Sequence, residues 1–154
     1  MQIAERERHD GSRDRGSRIQ IVENELGEMV RQVAISASSN LKIVLDQADK
    51  EHTLRLSGRV DVDSSPELRD RLRALLSEKE LPQIIIVDLG DVSYIETSGI
   101  ATLIEALRIA RHHRINFRLQ GLRGAALRLF QVTGVLALFE ANDSRQSDSG
   151  QKVS

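Results

Sequence analysis

The chain has 154 residues, enough for one domain of ordinary size and not for two. Hydrophobic residues make up 40%, so a core can form, but with one Tyr, three Phe and no Trp that core is aliphatic. A net charge of −1 gives no electrostatic case for a nucleic-acid partner, and the absence of cysteine excludes disulfides, thiolate metal sites and a cysteine nucleophile. No run approaches the length of a membrane span, and the first residues lack the apolar stretch of a signal peptide. The expectation is a cytoplasmic protein without direct membrane insertion.

Residues 1–18 are charged with both signs interleaved and read as disordered. From 19 to 35 the apolar positions Ile19, Val22, Leu26, Met29, Val30 and Val33 fall at helical spacing, which predicts an amphipathic helix interrupted by Gly27. Ser36 to Asn40 reads as a linker, so residues 1–40 form an N-terminal tail and the domain proper spans 41–141. Leu41, Ile43 and Leu45 alternate with Lys42, Val44 and Asp46 and predict a strand. After a polar turn, Leu54, Leu56 and Val60 continue as a second strand paired to it, with Gly58 permitting a bulge. Asp63-Ser64-Ser65-Pro66-Glu67 is a helix start, and Leu68, Leu72, Leu75 and Leu76 form that helix's buried face.

The apolar run from Ile84 predicts a buried strand through Leu89, followed by a polar loop, Asp88 to Glu96. A helix from about Ser98 to His112 follows, with Ile100, Leu103, Ile104 and Leu107 on one face. Ile115, Phe117 and Leu119 alternate as a further strand, Ala125 to Val132 form a short helix closed by Gly134, and Val135 to Phe139 read as a last short strand. Residues 142–154 are polar and non-periodic and read as a disordered C-terminal tail. Strands alternating with helices after an initial hairpin give the fold class: α/β, a mostly parallel sheet with an N-terminal β-hairpin and helices packed on it.

The chain offers little to catalysis. His9, His52, His112 and His113 have no metal-ligand spacing with a partner, and Glu96 stands where the first glycine of a nucleophile elbow would be. Asp88, Asp91 and Glu96 cluster near a strand end, where magnesium is conceivable, but solvating the loop and biasing the helix N-terminus explains them. No enzyme activity, cofactor or metal is expected. The informative feature is Thr97-Ser98-Gly99, two adjacent hydroxyls where a strand hands over to a helix N-terminus. Capping accounts for one of them, and a phosphate would be accommodated there.

The segment Val87 to Ile100, V-D-L-G-D-V-S-Y-I-E-T-S-G-I, resembles the signature of the STAS domain as found in bacterial anti-sigma factor antagonists. L-x-L-S-G-x-V-D at Leu54 to Asp61 and A-A-L-R-L-F-Q-V-T-G-V at Ala125 to Val135 extend the resemblance over about 41–141. It implies a partner-switching regulator. The unmodified protein would bind an anti-sigma factor kinase, phosphorylation of Thr97 (second choice Ser98) would release it, and a phosphatase would reset it. The partner surface expected on this reading comprises Asp91, Ser93, Glu96, Ser98, Gly99, Ile100 and Asp61. Separately, the apolar stripe of residues 19–35 would be costly to leave in water and is available to dock on its own domain, to pair two chains as a homodimer or to meet a partner.

The family's antagonists usually read D-S-S-G or D-S-T-G at this loop, whereas here Glu96 and Thr97 replace Asp and Ser. Threonine at this place also resembles the STAS subunits of phospholipid-transport ABC systems, so an accessory transporter subunit is the alternative. A scaffold module in a sensory assembly is a third reading.

Overall fold

The computed structural model describes residues 18–23, 27, 29–37 and 40–140. Nine elements lead to a final helical turn: β1 (Arg18–Glu23), β2 (Met29–Ala37), β3 (Leu41–Gln47), β4 (Glu51–Val60), α1 (Ser65–Leu75), β5 (Ile84–Ile95), α2 (Thr97–His112), β6 (Asn116–Gln120), α3 (Gly124–Val132) and α4 (135–140). The six strands lie in one sheet in sequence order. β1 to β4 pair antiparallel, while β4–β5 and β5–β6 pair parallel.

The parallel portion expected from the βαβαβ order is therefore present as β4–β5–β6. The antiparallel portion is larger than expected, because the segment read as a helix over 19–35 is two strands. Two features decide this. Gly27 adopts φ +83°, a left-handed turn conformation that breaks any continuous helix. The β-branched residues on either side of it also pair as a ladder, Val22 opposite Val30 and Ile19 opposite Val33, and Val33 continues opposite Leu45 of β3. Helical spacing and strand alternation coexist in this segment, and pairing with the domain's own sheet selects the strand. Of the tails expected at 1–18 and 142–154, Arg18 is the first residue of β1 and the rest lies outside the described residues.

Both parallel connections run in the same direction across the sheet. Right-handed crossovers therefore place α1 and α2 on one face. The ladder Leu45–Leu54–Val87–Leu119 lies beneath them. Leu68 and Leu72 of α1, and Leu103 and Leu107 of α2, close over Ile43, Leu54, Leu56, Ile85 and Val87. The opposite face is mixed, with Val22, Val30 and Ile86 set among polar side chains. On it the Arg55 guanidinium lies 2.9 Å from Asp46, and Gln32 Nε2 donates to the same carboxylate at 2.9 Å.

Two further expectations are corrected. β5 does not end at Leu89; it runs on through Ile95, so most of the predicted loop is strand. A bulge lets it do so: Asp88 Oδ1 accepts the Gly90 N–H at 2.9 Å, and the β4–β5 register slips between Arg55 and Ser57. The last strand expected over Val135 to Phe139 is α4 instead. Its Val135, Leu136 and Phe139 fall at helical spacing, and Phe139 packs 6.2 Å from Phe117 and 6.3 Å from Phe130.

Candidate functional site

β4 and β5 end side by side, Val60 opposite Ile95, and the Glu96 N–H donates to the Val60 carbonyl at 2.9 Å. Glu96 is the extended residue (ψ 174°) from which α2 starts, and its carbonyl accepts the Gly99 and Ile100 N–H groups. The handover from strand to helix thus takes a single residue. The carboxyl ends of parallel strands are where open α/β sheets present their ligand surfaces.

At this end Thr97 is exposed, and its hydroxyl bonds to no described residue. The capping role that explained one hydroxyl is not used, since among the described residues no side chain caps α2. Ser98 turns inward. Its Oγ lies 3.1 Å from Ser65 Oγ on α1, and its carbonyl accepts the Thr102 hydroxyl at 3.0 Å. Ser65 in turn donates to the Asp61 carbonyl at 2.7 Å.

Asp61 was expected at the partner surface, but it is only 8% exposed and organises the start of α1. Its Oδ1 accepts the N–H groups of Asp63 and Ser64, each at 3.0 Å. These bonds, led by that from the Ser64 backbone, hold its carboxyl below the usual aspartate range, with the Arg59 guanidinium adding to the effect.

Gly99 and Ile100, also expected to meet a partner, are buried. A Cβ on Gly99 would stand 2.5 Å from Val60 Cγ1, so this glycine lets α2 close onto β4. Asp91 and Ser93 are exposed, but on the body of β5, where Ser93 Oγ donates to the Gly58 carbonyl at 3.2 Å. Gly58 forms the predicted bulge at φ +110°, with a Cβ position 2.2 Å from the Asn40 carbonyl. Among the described residues no three acids or histidines converge as a metal would require.

Two participants escaped the sequence reading. Tyr94, 39% exposed, carries the Arg59 guanidinium 4.2 Å from its ring centroid. Its hydroxyl donates to Glu96 Oε2 at 3.2 Å, and that bond together with the Glu96 charge raises its pKa above the ordinary tyrosine value. Ser65 is the other, and its contact spans thirty-three residues of sequence. The single tyrosine of the chain was a signal for the first. Spacing gave none for the second. Val62, 64% exposed, completes the surface with an apolar side chain.

A family model described as "Mlab, STAS domain" matches residues 43–140. The chain belongs to the STAS domain family. The STAS match begins within β3 and runs to the end of α4, so β1 and β2 lie outside it. An anti-sigma-B factor antagonist of Listeria monocytogenes is 24% identical over 115 residues, covering 74% of this chain and 99% of the relative. An anti-sigma-B factor antagonist of Staphylococcus aureus is 26% identical over 107 residues, covering 70% and 97%. These relatives are regulatory proteins rather than catalysts. The crystal structure of an anti-sigma factor antagonist from Mycobacterium paratuberculosis aligns with a TM-score of 0.55 at 21% identity, covering 68% of this chain and 86% of that one. At that identity the alignment supports the shared STAS fold. No helix among the described residues is long and apolar enough to cross a membrane.

Proposed function

We propose that this STAS domain is a cytoplasmic anti-sigma factor antagonist that binds an anti-sigma factor kinase through the α2 end of the sheet and is released by phosphorylation of Thr97. The observation that carries this reading is the free, exposed Thr97 hydroxyl at the first position of α2, beside a Ser98 hydroxyl engaged with α1. The docking surface comprises Val62, Ser93, Tyr94, Glu96, Thr97 and Asp91, with Tyr94 and Val62 supplying apolar contact. Gly99, Ile100 and Asp61 shape it from beneath.

A phosphate on Thr97 adds about 1.5 to 2 negative charges. It would enter a surface already carrying Glu96, Asp63 and Asp91, where Arg59 is committed to Tyr94 and Asp61. The helix N-terminus accommodates that charge within the chain itself, while a partner fitted to the neutral hydroxyl loses close approach. A phosphatase then restores the binding form. A homodimer through residues 19–35 would use the outer edge of β1, which pairs with no strand among the described residues, rather than a helix.

The test measures binding of an anti-sigma factor kinase from the same genome to the wild-type chain and to Thr97→Glu. Like charge set into an interface costs several kcal/mol, so the substitution weakens binding by about tenfold or more. Equal affinity for the two chains overturns the proposal. A second reading, a constitutive accessory subunit of a phospholipid-transport ABC system, is favoured by the family model's Mlab description and by threonine at position 97. In that case the chain co-purifies with an ATPase and carries no phosphate.

A further inference from the structure

Ser65 Oγ lies 2.7 Å from the Asp61 carbonyl oxygen and 3.1 Å from Ser98 Oγ. A carbonyl can only accept, so the single Ser65 proton points to Asp61. Ser65 then has only lone pairs to offer Ser98, and in the second bond Ser98 is the donor. The Ser98 proton is therefore directed inward, to a residue that is itself buried. Thr97, one position earlier, has no such tie.

We infer that Ser65 is a positioning residue that decides which of the two adjacent hydroxyls takes phosphate: it holds Ser98 against α1 and leaves Thr97 as the acceptor. The inference rests on the reading that a kinase modifies this site. In the transfer the acceptor oxygen bonds to the γ-phosphorus of ATP while the bond from that phosphorus to the bridging oxygen breaks and ADP departs. The hydroxyl proton leaves to a base of the kinase.

This requires the acceptor oxygen to reach about 3–3.5 Å from the phosphorus, with its proton turned toward the kinase. Ser98, part-buried, has its proton turned away from a kinase while it donates to Ser65, and a phosphate there would leave the Ser65 lone pairs without a donor between two packed helix ends. Thr97 is exposed, and among the described residues it has no side-chain hydrogen bond to break before its oxygen approaches the phosphorus.

The experiment purifies the tagged full chain from cells of its own source and maps phosphate by mass spectrometry. The wild type carries phosphate on Thr97, and Thr97→Val carries none. The double variant Ser65→Ala/Thr97→Val regains phosphate on Ser98. Ser65→Ala alone raises Ser98 occupancy by about tenfold, the factor that corresponds to one hydrogen bond. Ser65→Cys, which keeps the packing but is a weak acceptor, gives the same shift if the alanine variant folds poorly. Phosphate on Ser98 in Thr97→Val with Ser65 intact overturns the inference. So does a folded double variant without phosphate. A wild-type chain that carries no phosphate overturns the underlying reading instead, and the two failures are thereby distinguished.

Discussion

Gly99 shows how one side chain, or its absence, sets the site. An alanine methyl there would stand 2.5 Å from Val60 Cγ1 and 3.0 Å from Ile95 Cγ1. Overpacking of this kind typically costs about 1–3 kcal/mol, against roughly 1 kcal/mol gained in helix propensity over glycine. Gly99→Ala is thus expected to destabilise the domain by about 1 kcal/mol, read as a lower denaturant midpoint, and to lift the α2 start away from β4.

His52 is buried near the start of β4, with Nδ1 lacking a partner among the described residues. Burial lowers its pKa below 6.5, and the Glu78 charge opposes this only in part. Protonation therefore favours the unfolded chain, and stability present above pH 6.5 is lost as pH falls toward the depressed value. His52→Leu should flatten the stability profile between pH 7 and 5; an unchanged slope in chemical melts would refute this assignment. At this scale Thr97 and Ser98 were legible because their spacing is local. Ser65 was not, because only folding brings its hydroxyl to Ser98.

Among the elements, β3, β4, α1, α2 and β6 were legible because each carries one unambiguous period. The segment from Arg18 to Ala37 was not. Its apolar residues satisfy a helix stripe and a strand ladder together, and the choice is made by β3, whose edge would otherwise stay unpaired. α4 was misread for a related reason: a short apolar run fits strand or helix until Phe117 and Phe130 supply a site for Phe139. The family match from 43 to 140 predicts that a chain beginning at Leu41 still folds. It would lose the burial of Val30, worth about 1.5–3 kcal/mol, and the β2–β3 ladder with it. The midpoint of thermal unfolding is expected to fall by roughly 5 °C or more. An unchanged midpoint would mean that the hairpin adds nothing to the domain.

Over the whole molecule, the right-handed connections place α1 and α2 on one face and bring both helix starts to the end where β4 and β5 finish. The hydroxyl pair, the Asp61 turn and the Tyr94–Arg59 stack meet there, while His52 lies toward the opposite end of β4. The surface around Thr97 is tied down on every side: Glu96 to Val60, Ser98 to Ser65, Ser65 to Asp61. A charge added at Thr97 thus acts on a rigid end of the domain and changes its potential without changing its fold. Stability and partner binding should consequently move in opposite directions. A carboxylate in the first turn of a helix stabilises it by roughly 0.3–1 kcal/mol. Thr97→Glu should therefore melt at or slightly above the wild-type temperature, with unaltered amide exchange protection in α2, while its affinity for the kinase falls. If the substitution instead lowers the melting temperature by several degrees and loosens α2, loss of binding would report local unfolding, and a switch working through surface charge would be excluded.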